Sequence, residues 1–184
     1  IGMDPYSYFL AFARLARTQC VLGGHPVTTG ISAMDYYVSS ELIETSDAQA
    51  HYSKKLILLP FGSFYYERPV LPSSRRSRVQ LGLPESGRIY LCPMALHKLH
   101  PDFDEAIQRI LELDSDGSVV LVADQKYSAW QGLLEQRFSQ TIAGQVLGRV
   151  IFLPWVSDPL DFIRVVEVSD VVLDSFHFGL GTTA

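Results

Sequence analysis

Near the end of the chain, Val171-Val172-Leu173 leads into Asp174, His177 and the run Gly179-Leu180-Gly181-Thr182-Thr183. Three apolar residues of this kind make a short buried strand. A glycine turn beyond it lets backbone N–H groups approach a phosphate closely, and the two threonine hydroxyls add donors. Gly-x-Gly turns are common, so the pattern gains meaning only from its neighbours. One such neighbour is Lys98, a compact cation suited to a diphosphate. It stands just before a helix opened by Pro101, whose amino end also favours anions. An ordinary solvated lysine fits the same position.

Histidines offer a second chemistry. His97, His100 and His177 raise a metal reading, but a tetrahedral site needs further convergent ligands and the sequence holds no second Cys/His cluster. No metal is expected. His25 sits in the loop Gly23-Gly24-His25-Pro26-Val27-Thr28-Thr29-Gly30 between two strands, where loops on a rigid scaffold often carry function. A turn histidine capping backbone groups fits that place equally. The chain lacks a Gly-x-Ser-x-Gly nucleophile, a His-Glu-x-x-His helix and a Walker lysine. Asp158, Asp161 and Glu167 read as solvated helix carboxylates, and Asp174 is the one carboxylate suited to a site.

The elements that must position these groups have a regular cadence in the second half. Apolar strands are expected over 89–92, 119–122, 150–153 and 171–173, with helices over 101–113, 129–138 and 160–166. Such alternation means right-handed βαβ units and a parallel sheet covered on both faces. Ligands of such sheets bind outside the carboxyl ends of the strands, where Lys98 and the glycine turn fall. The first half is less regular. Asp4-Pro5 is a helix start, and Tyr8, Phe9, Phe12 and Leu15 carry the helix to about Ala16. Strands follow near 19–22, 36–39 and 55–59, with a helical turn near 48–52. Residues 60–77 hold Pro60, Gly62, Pro69 and Pro72, then serines and arginines without periodicity, and read as a linker. Two regions result, 1–70 and 71–184.

Composition narrows the function classes. Apolar residues make up 47% of the 184, enough for a core and incompatible with disorder. A net charge of −5, with Arg75-Arg76-Ser77-Arg78 as the densest basic run, argues against a nucleic-acid partner, and that run reads as solvated linker. No stretch of 18 apolar residues exists, so no membrane span is expected, and the first residues lack a signal-peptide pattern. Cys20 and Cys92 lie in strand-like runs and read as buried reduced thiols, which suits the cytoplasm. Both ends read as cut, so the chain is expected to be a piece of a longer protein.

Three ordered segments resemble the bacterial and plant-like branch of the O-linked N-acetylglucosamine transferase family. They are the stretch from Ile1 through Gly23-Gly24-His25-Pro26-Val27-Thr28-Thr29-Gly30 to Tyr36, the stretch Tyr90-Leu91-Cys92-Pro93 to Phe103, and the stretch from Arg149 to Thr183. The resemblance implies a GT-B type α/β glycosyltransferase fragment. Residues 1–70 would end the acceptor-side lobe with its linker, and 71–184 would form most of a Rossmann-like nucleotide-sugar lobe. It implies a protein acceptor, no metal, and tetratricopeptide repeats elsewhere in the parent chain. Lys98 matches the lysine on the donor diphosphate, and Thr182 and Thr183 the pair holding the phosphates beside His177, Gly179 and Gly181. Gly24, His25 and Pro26 would line the sugar end, with His25 on the catalytic side, and Arg164 would stand near the nucleobase.

The resemblance has departures. Met94 and Ala95 stand where the family usually has a glutamine, and Leu180 interrupts a glycine run. Asp158 and Asp161 fall near positions that carry a lysine and a histidine in animal members, which leaves the base, uracil or guanine, open. The leading expectation is transfer of N-acetylglucosamine from UDP-GlcNAc to Ser/Thr hydroxyls. GDP-fucose or UDP-glucose as donor, or a degenerate nucleotide-binding scaffold, are the alternatives. The piece alone is expected to be inactive.

Overall fold

The computed structural model describes residues 4–23, 28–62, 65–71 and 76–181. It divides into two compact units, 1–67 and 68–184. Among the described residues, no helix is long and apolar enough to cross a membrane.

In the first unit, the Asp4 carboxylate accepts the Ser7 N–H at 2.7 Å and starts α1 (Pro5–Leu10). The helix ends well before Ala16. Its side chains bury nothing, so six residues have only their own weak propensity and the cap to hold them. The aromatic residues at helical spacing instead pack on one another, with Tyr8 edge-on to Phe9 and Phe12 at 5.6 and 5.3 Å. β1 (Cys20–Leu22), β2 (Tyr36–Ser40) and β3 (Lys55–Leu59) form a parallel sheet in that order. Val21, Ile31, Met34 and Tyr37 are its small core. Cys20 is exposed, against expectation. β1 is an edge strand among the described residues, and the period-two alternation turns Val21 inward and Cys20 outward.

The second unit has four parallel strands, β4 (Arg88–Cys92), β5 (Gly117–Val122), β6 (Val150–Leu153) and β7 (Val171–Val172), in the order β6-β5-β4-β7. Between them run α2 (Asp102–Leu113), α3 (Ala129–Thr141), the short α4 (Gly144–Leu147) and α5 (Pro159–Val168). Alternate strand residues feed two cores. Cys92, Val119 and Leu121 pack under Phe103, Ile107 and Leu111 of α2 and Leu134 and Phe138 of α3. Ile89, Leu91 and Val120 pack under Val165 of α5 on the other face. The central strands are therefore buried on both sides, as their unbroken apolar runs require.

β7 differs from its expectation as a buried strand. Val171 and Val172 are 39% and 38% exposed. β7 pairs only with β4 and is an edge among the described residues. Of the arginines read as solvated linker, Arg75 lies outside the described residues, and Arg76, though exposed, and Arg78 are tied to the second unit. Arg76 pairs with Asp161 at 2.5 Å, and Arg78 reaches the Gly87 and Val168 carbonyls and the Asp170 carboxylate.

The strand order has one consequence for binding. From β4 the chain steps outward to β5 and β6, then returns across the sheet to lay β7 on β4's other side. The order reverses between β4 and β7, and in open parallel sheets such a reversal marks the crevice, outside the carboxyl ends, where ligands bind.

Candidate functional site

Two loops enter that crevice. The loop after β4 is pinned by Leu96 and Leu99, only 2% and 4% exposed, so the polar residues between and after them turn outward. His97 and His100 are exposed and Lys98 is half-buried. From behind, Arg137 of α3 donates to the Leu99 carbonyl at 3.0 Å and to both Asp104 oxygens at 3.0 and 2.8 Å. Thr141 completes the buried Asp104 with a hydroxyl bond of 2.8 Å. An almost fully buried carboxylate is tolerable only with partners of this kind, and the pairing fixes the head of α2.

The second loop follows β7. The Asp174 carboxylate accepts the Leu180 N–H at 2.5 Å, which folds 174–180 into a closed turn. Gly179 lies so close to it that a Cβ there would stand 3.0 Å from the Asp174 Oδ2 atom. The Ser175 hydroxyl donates to the Phe178 carbonyl at 3.1 Å. Leu180, which interrupts the expected glycine run, packs against the core on the α2 side.

The loops touch through side chains. Lys98 Nζ lies 4.2 Å from the centre of the Phe178 ring, and Phe176 meets Phe103 edge-on at 5.2 Å. His177 stands edge-on to His100 at 4.7 Å, and its Nε2 is 2.8 Å from Asp102 Oδ2. The His177 hydrogen bond is the chief reason that the Asp102 carboxyl is held below its ordinary value, with the His100 charge adding to it.

Beside the crevice, a cavity of about 350 Å³ opens outside the carboxyl ends of β4, β5 and β6. Met94, Ala95, Asp124, Trp155, Val156 and Phe162 are among its walls. Trp155 is 50% exposed, so an indole is offered to a flat ring. Asp124 is set by its own turn, its Oδ1 accepting the Lys126 and Tyr127 N–H groups at 2.7 and 2.9 Å. The loop that supplies Met94 and Ala95 also carries Lys98. A planar apolar group in the cavity would thus have a cation within one loop of it.

Of the residues singled out in the sequence, Lys98, His177 and Gly179 are brought together at the crevice, with Gly181 ending the described part of the turn. Gly24, His25, Pro26, Thr182 and Thr183 lie outside the described residues. Arg164 is buried in α5 and ion-paired with Glu167, and it is not among the residues lining the 350 Å³ cavity. Glu167 is exposed, as a solvated carboxylate should be, and Asp161 partly so, and each also pairs with an arginine. Asp158 caps α5 by accepting the Leu160 N–H at 2.9 Å. His97 turns away from the other histidines toward Trp130, at 5.8 Å between rings. Asp102 joins this group without a sequence motif of its own, its one signal being an acid at the first position of α2, two residues after His100.

No family model matches the sequence. Over 160 residues the chain is 29% identical to a probable UDP-N-acetylglucosamine–peptide N-acetylglucosaminyltransferase SEC of Arabidopsis thaliana, covering 83% of this chain and 16% of that protein. In three dimensions it matches a lysine-to-methionine mutant of the Thermobaculum terrenum O-GlcNAc transferase with a TM-score of 0.76 and 21% identity, over 95% of this chain and 32% of that one. The chain therefore spans a minor part of each protein's length. It has the parallel-sheet α/β architecture of a GT-B type transferase, and sequence and fold alike support its resemblance to the O-linked N-acetylglucosamine transferase family.

Proposed function

We propose that this chain is part of an inverting glycosyltransferase that moves a sugar from a nucleotide donor to a protein hydroxyl. UDP-GlcNAc is the first choice of donor and Ser/Thr the first choice of acceptor. The observation that carries the reading is the juxtaposition at the strand ends of an open, Trp155-walled cavity, Lys98 and a closed glycine turn. A nucleobase suits the cavity in size and shape. The ribose and diphosphate would then run along the loop toward the cation.

In this reading the chemistry is charge stabilisation. When the bond from sugar to phosphate breaks, negative charge grows on the leaving nucleoside diphosphate. A fixed ammonium and backbone N–H donors aimed there lower the barrier. Lys98 supplies the ammonium, the turn with Thr182 and Thr183 the other donors, and His25 shapes the acceptor side. The diphosphate needs no metal in this scheme. Soluble placement in the cytoplasm and tetratricopeptide repeats elsewhere in the protein are part of the same proposal.

A GDP-sugar is the second reading, because Asp124 lines the cavity and guanine presents N–H donors that a carboxylate accepts. Calorimetric titration of the full protein with UDP, GDP and ADP separates them. UDP selectivity is the expected result. GDP selectivity moves the donor to a sugar such as fucose, and absence of binding to all three in a folded sample overturns the transferase in favour of a scaffold.

A further inference from the structure

His100 and Asp102 flank Pro101 at the head of α2, and His177 reaches them from the turn after β7. One ligand atom from each residue lies within 4.8 Å of the other two. His177 Nε2 is 2.8 Å from Asp102 Oδ2, and His100 Nδ1 is 3.4 Å from the same oxygen. In a tetrahedral zinc site, with bonds of about 2.0–2.1 Å, the ligand atoms stand roughly 3.3 Å apart. The observed separations bracket that value. All three side chains are exposed, and His100 Nδ1 also accepts the Asp102 N–H at 3.3 Å, a bond that a metal at this nitrogen would replace.

We propose that His100, Asp102 and His177 bind a borderline divalent cation, Zn²⁺ by preference, which ties the turn after β7 to the head of α2. Two imidazoles and one carboxylate suit zinc, nickel or copper, whereas calcium and magnesium seek oxygen ligands. Three protein ligands leave one position of a tetrahedron to water. The carboxylate is an anion at neutral pH, as any exposed aspartate is. Coordination through Nε2 of His177 moves the ring proton to Nδ1. Neighbouring charges do not compete, since Asp104 is held by Arg137 and Lys98 stands over Phe178.

This site shares His177 with the proposed donor crevice, but it takes a bare ion and no nucleotide, so it can be tested apart from the transferase reading. Its effect would be mechanical. The ion joins two loops whose members are 75 residues apart in sequence, and so fixes one wall of the crevice to the other. A hydrogen-bonded His–Asp–His surface cluster with no affinity for metal is the competing account, and the two differ in what zinc does.

The full protein, stripped with EDTA, is titrated calorimetrically with ZnCl₂ and then with MgCl₂, and its thermal midpoint is followed. The expected result is one zinc ion per chain at this site, no magnesium binding, and a rise in midpoint of about 5–10 °C at a hundredfold excess over Kd. His100→Ala, Asp102→Asn and His177→Ala should each weaken zinc binding at least tenfold, with circular dichroism confirming their fold. X-ray absorption on the unmodified protein should show a nitrogen and oxygen shell near 2.0 Å. No zinc binding by the unmodified protein, or equal affinity in all three variants, overturns the proposal. Nucleotide titrations run in EDTA keep this outcome separate from the fate of the transferase reading.

Discussion

The two ends of the second sheet are built on opposite plans. At the amino end nearly every polar group is used. Asp114 takes the Arg88 guanidinium through two bonds, the Tyr90 hydroxyl at 2.8 Å and the Asp116 N–H at 3.1 Å. Arg149 donates to the Leu111 and Asp114 carbonyls, the latter at 2.7 Å, satisfying acceptors at the end of α2, and to the Gly117 carbonyl at the start of β5 at 2.8 Å. At the carboxyl end the anchoring lies beneath the surface, in Asp104 and Arg137, while Lys98, His100, Asp102 and His177 face outward. One end spends its charges on the fold, and the other leaves them at the surface, where the proposed donor would meet them.

The harshest way to break the comparison is Gly87→Ala. Gly87 has φ +83°, and an added Cβ would stand 2.2 Å from the Asp116 carbonyl oxygen. Left-handed backbone costs a side-chain-bearing residue about 1–2 kcal/mol, and overpacking adds about 1–3 kcal/mol. A stability loss of about 3 kcal/mol in urea titration is expected. If the loss is under about 1 kcal/mol, the amino end is pliable and the contrast between the ends fails.

Acid sharpens the same contrast. The Asp114 carboxyl is held well below its ordinary 3.8, first by the hydrogen bonds from Arg88 and further by Tyr90 and the Asp116 N–H. Because the folded pKa lies below the unfolded one, this stability is complete above the unfolded value and is lost as pH falls toward the folded one. Urea midpoints taken between roughly pH 5 and pH 3 should therefore fall, and Asp114→Asn should flatten that slope while lowering the midpoint at pH 5. Asp102 is also depressed, chiefly by His177, but it is exposed at the other end, so Asp102→Asn should change the slope less. Equal effects of the two substitutions would erase the distinction.

How much of this was legible in the sequence follows from which interactions are local. The runs at 89–92 and 119–122 announced themselves because central parallel strands must be apolar on both faces, and 150–153 shares that composition although β6 ends the sheet among the described residues. Val171-Val172 has the same composition, yet its burial depends on a neighbour that no local pattern reveals. Helical spacing at Tyr8, Phe9 and Phe12 is likewise only a promise of a helix until some surface receives the face. At the site, Lys98 and the glycine turn stood out by residue type. Their meeting did not, because it depends on β7 returning to lie beside β4. The Asp102–His177 contact is hidden for the same reason, and so is the role of Trp155 as a wall shared by strands distant in sequence. The arginines at 76 and 78 looked like linker because their partners, Asp161, Val168 and Asp170, come some ninety residues later.

The smallest expected effect on stability is the most informative for function. Lys98 is half-buried, and its ammonium meets the Phe178 ring without a salt bridge among the described residues. A cation–π contact of this exposure contributes about 0.5–1 kcal/mol, so Lys98→Ala should lower stability by no more than that. Its effect on the binding of a nucleoside diphosphate should be far larger. Losing a charge-assisted contact to phosphate costs about 1.5–3 kcal/mol, which corresponds to a fall in affinity of roughly tenfold to a hundredfold. The check is calorimetry of the full protein with UDP and with uridine, before and after the substitution. Diphosphate affinity should drop while the weaker binding of uridine is unchanged, because the cavity that would hold the base is built by other residues. An equal loss for both ligands would mean that Lys98 props the loop and is one more fold-holding charge. The carboxyl end would then differ from the amino end in exposure alone.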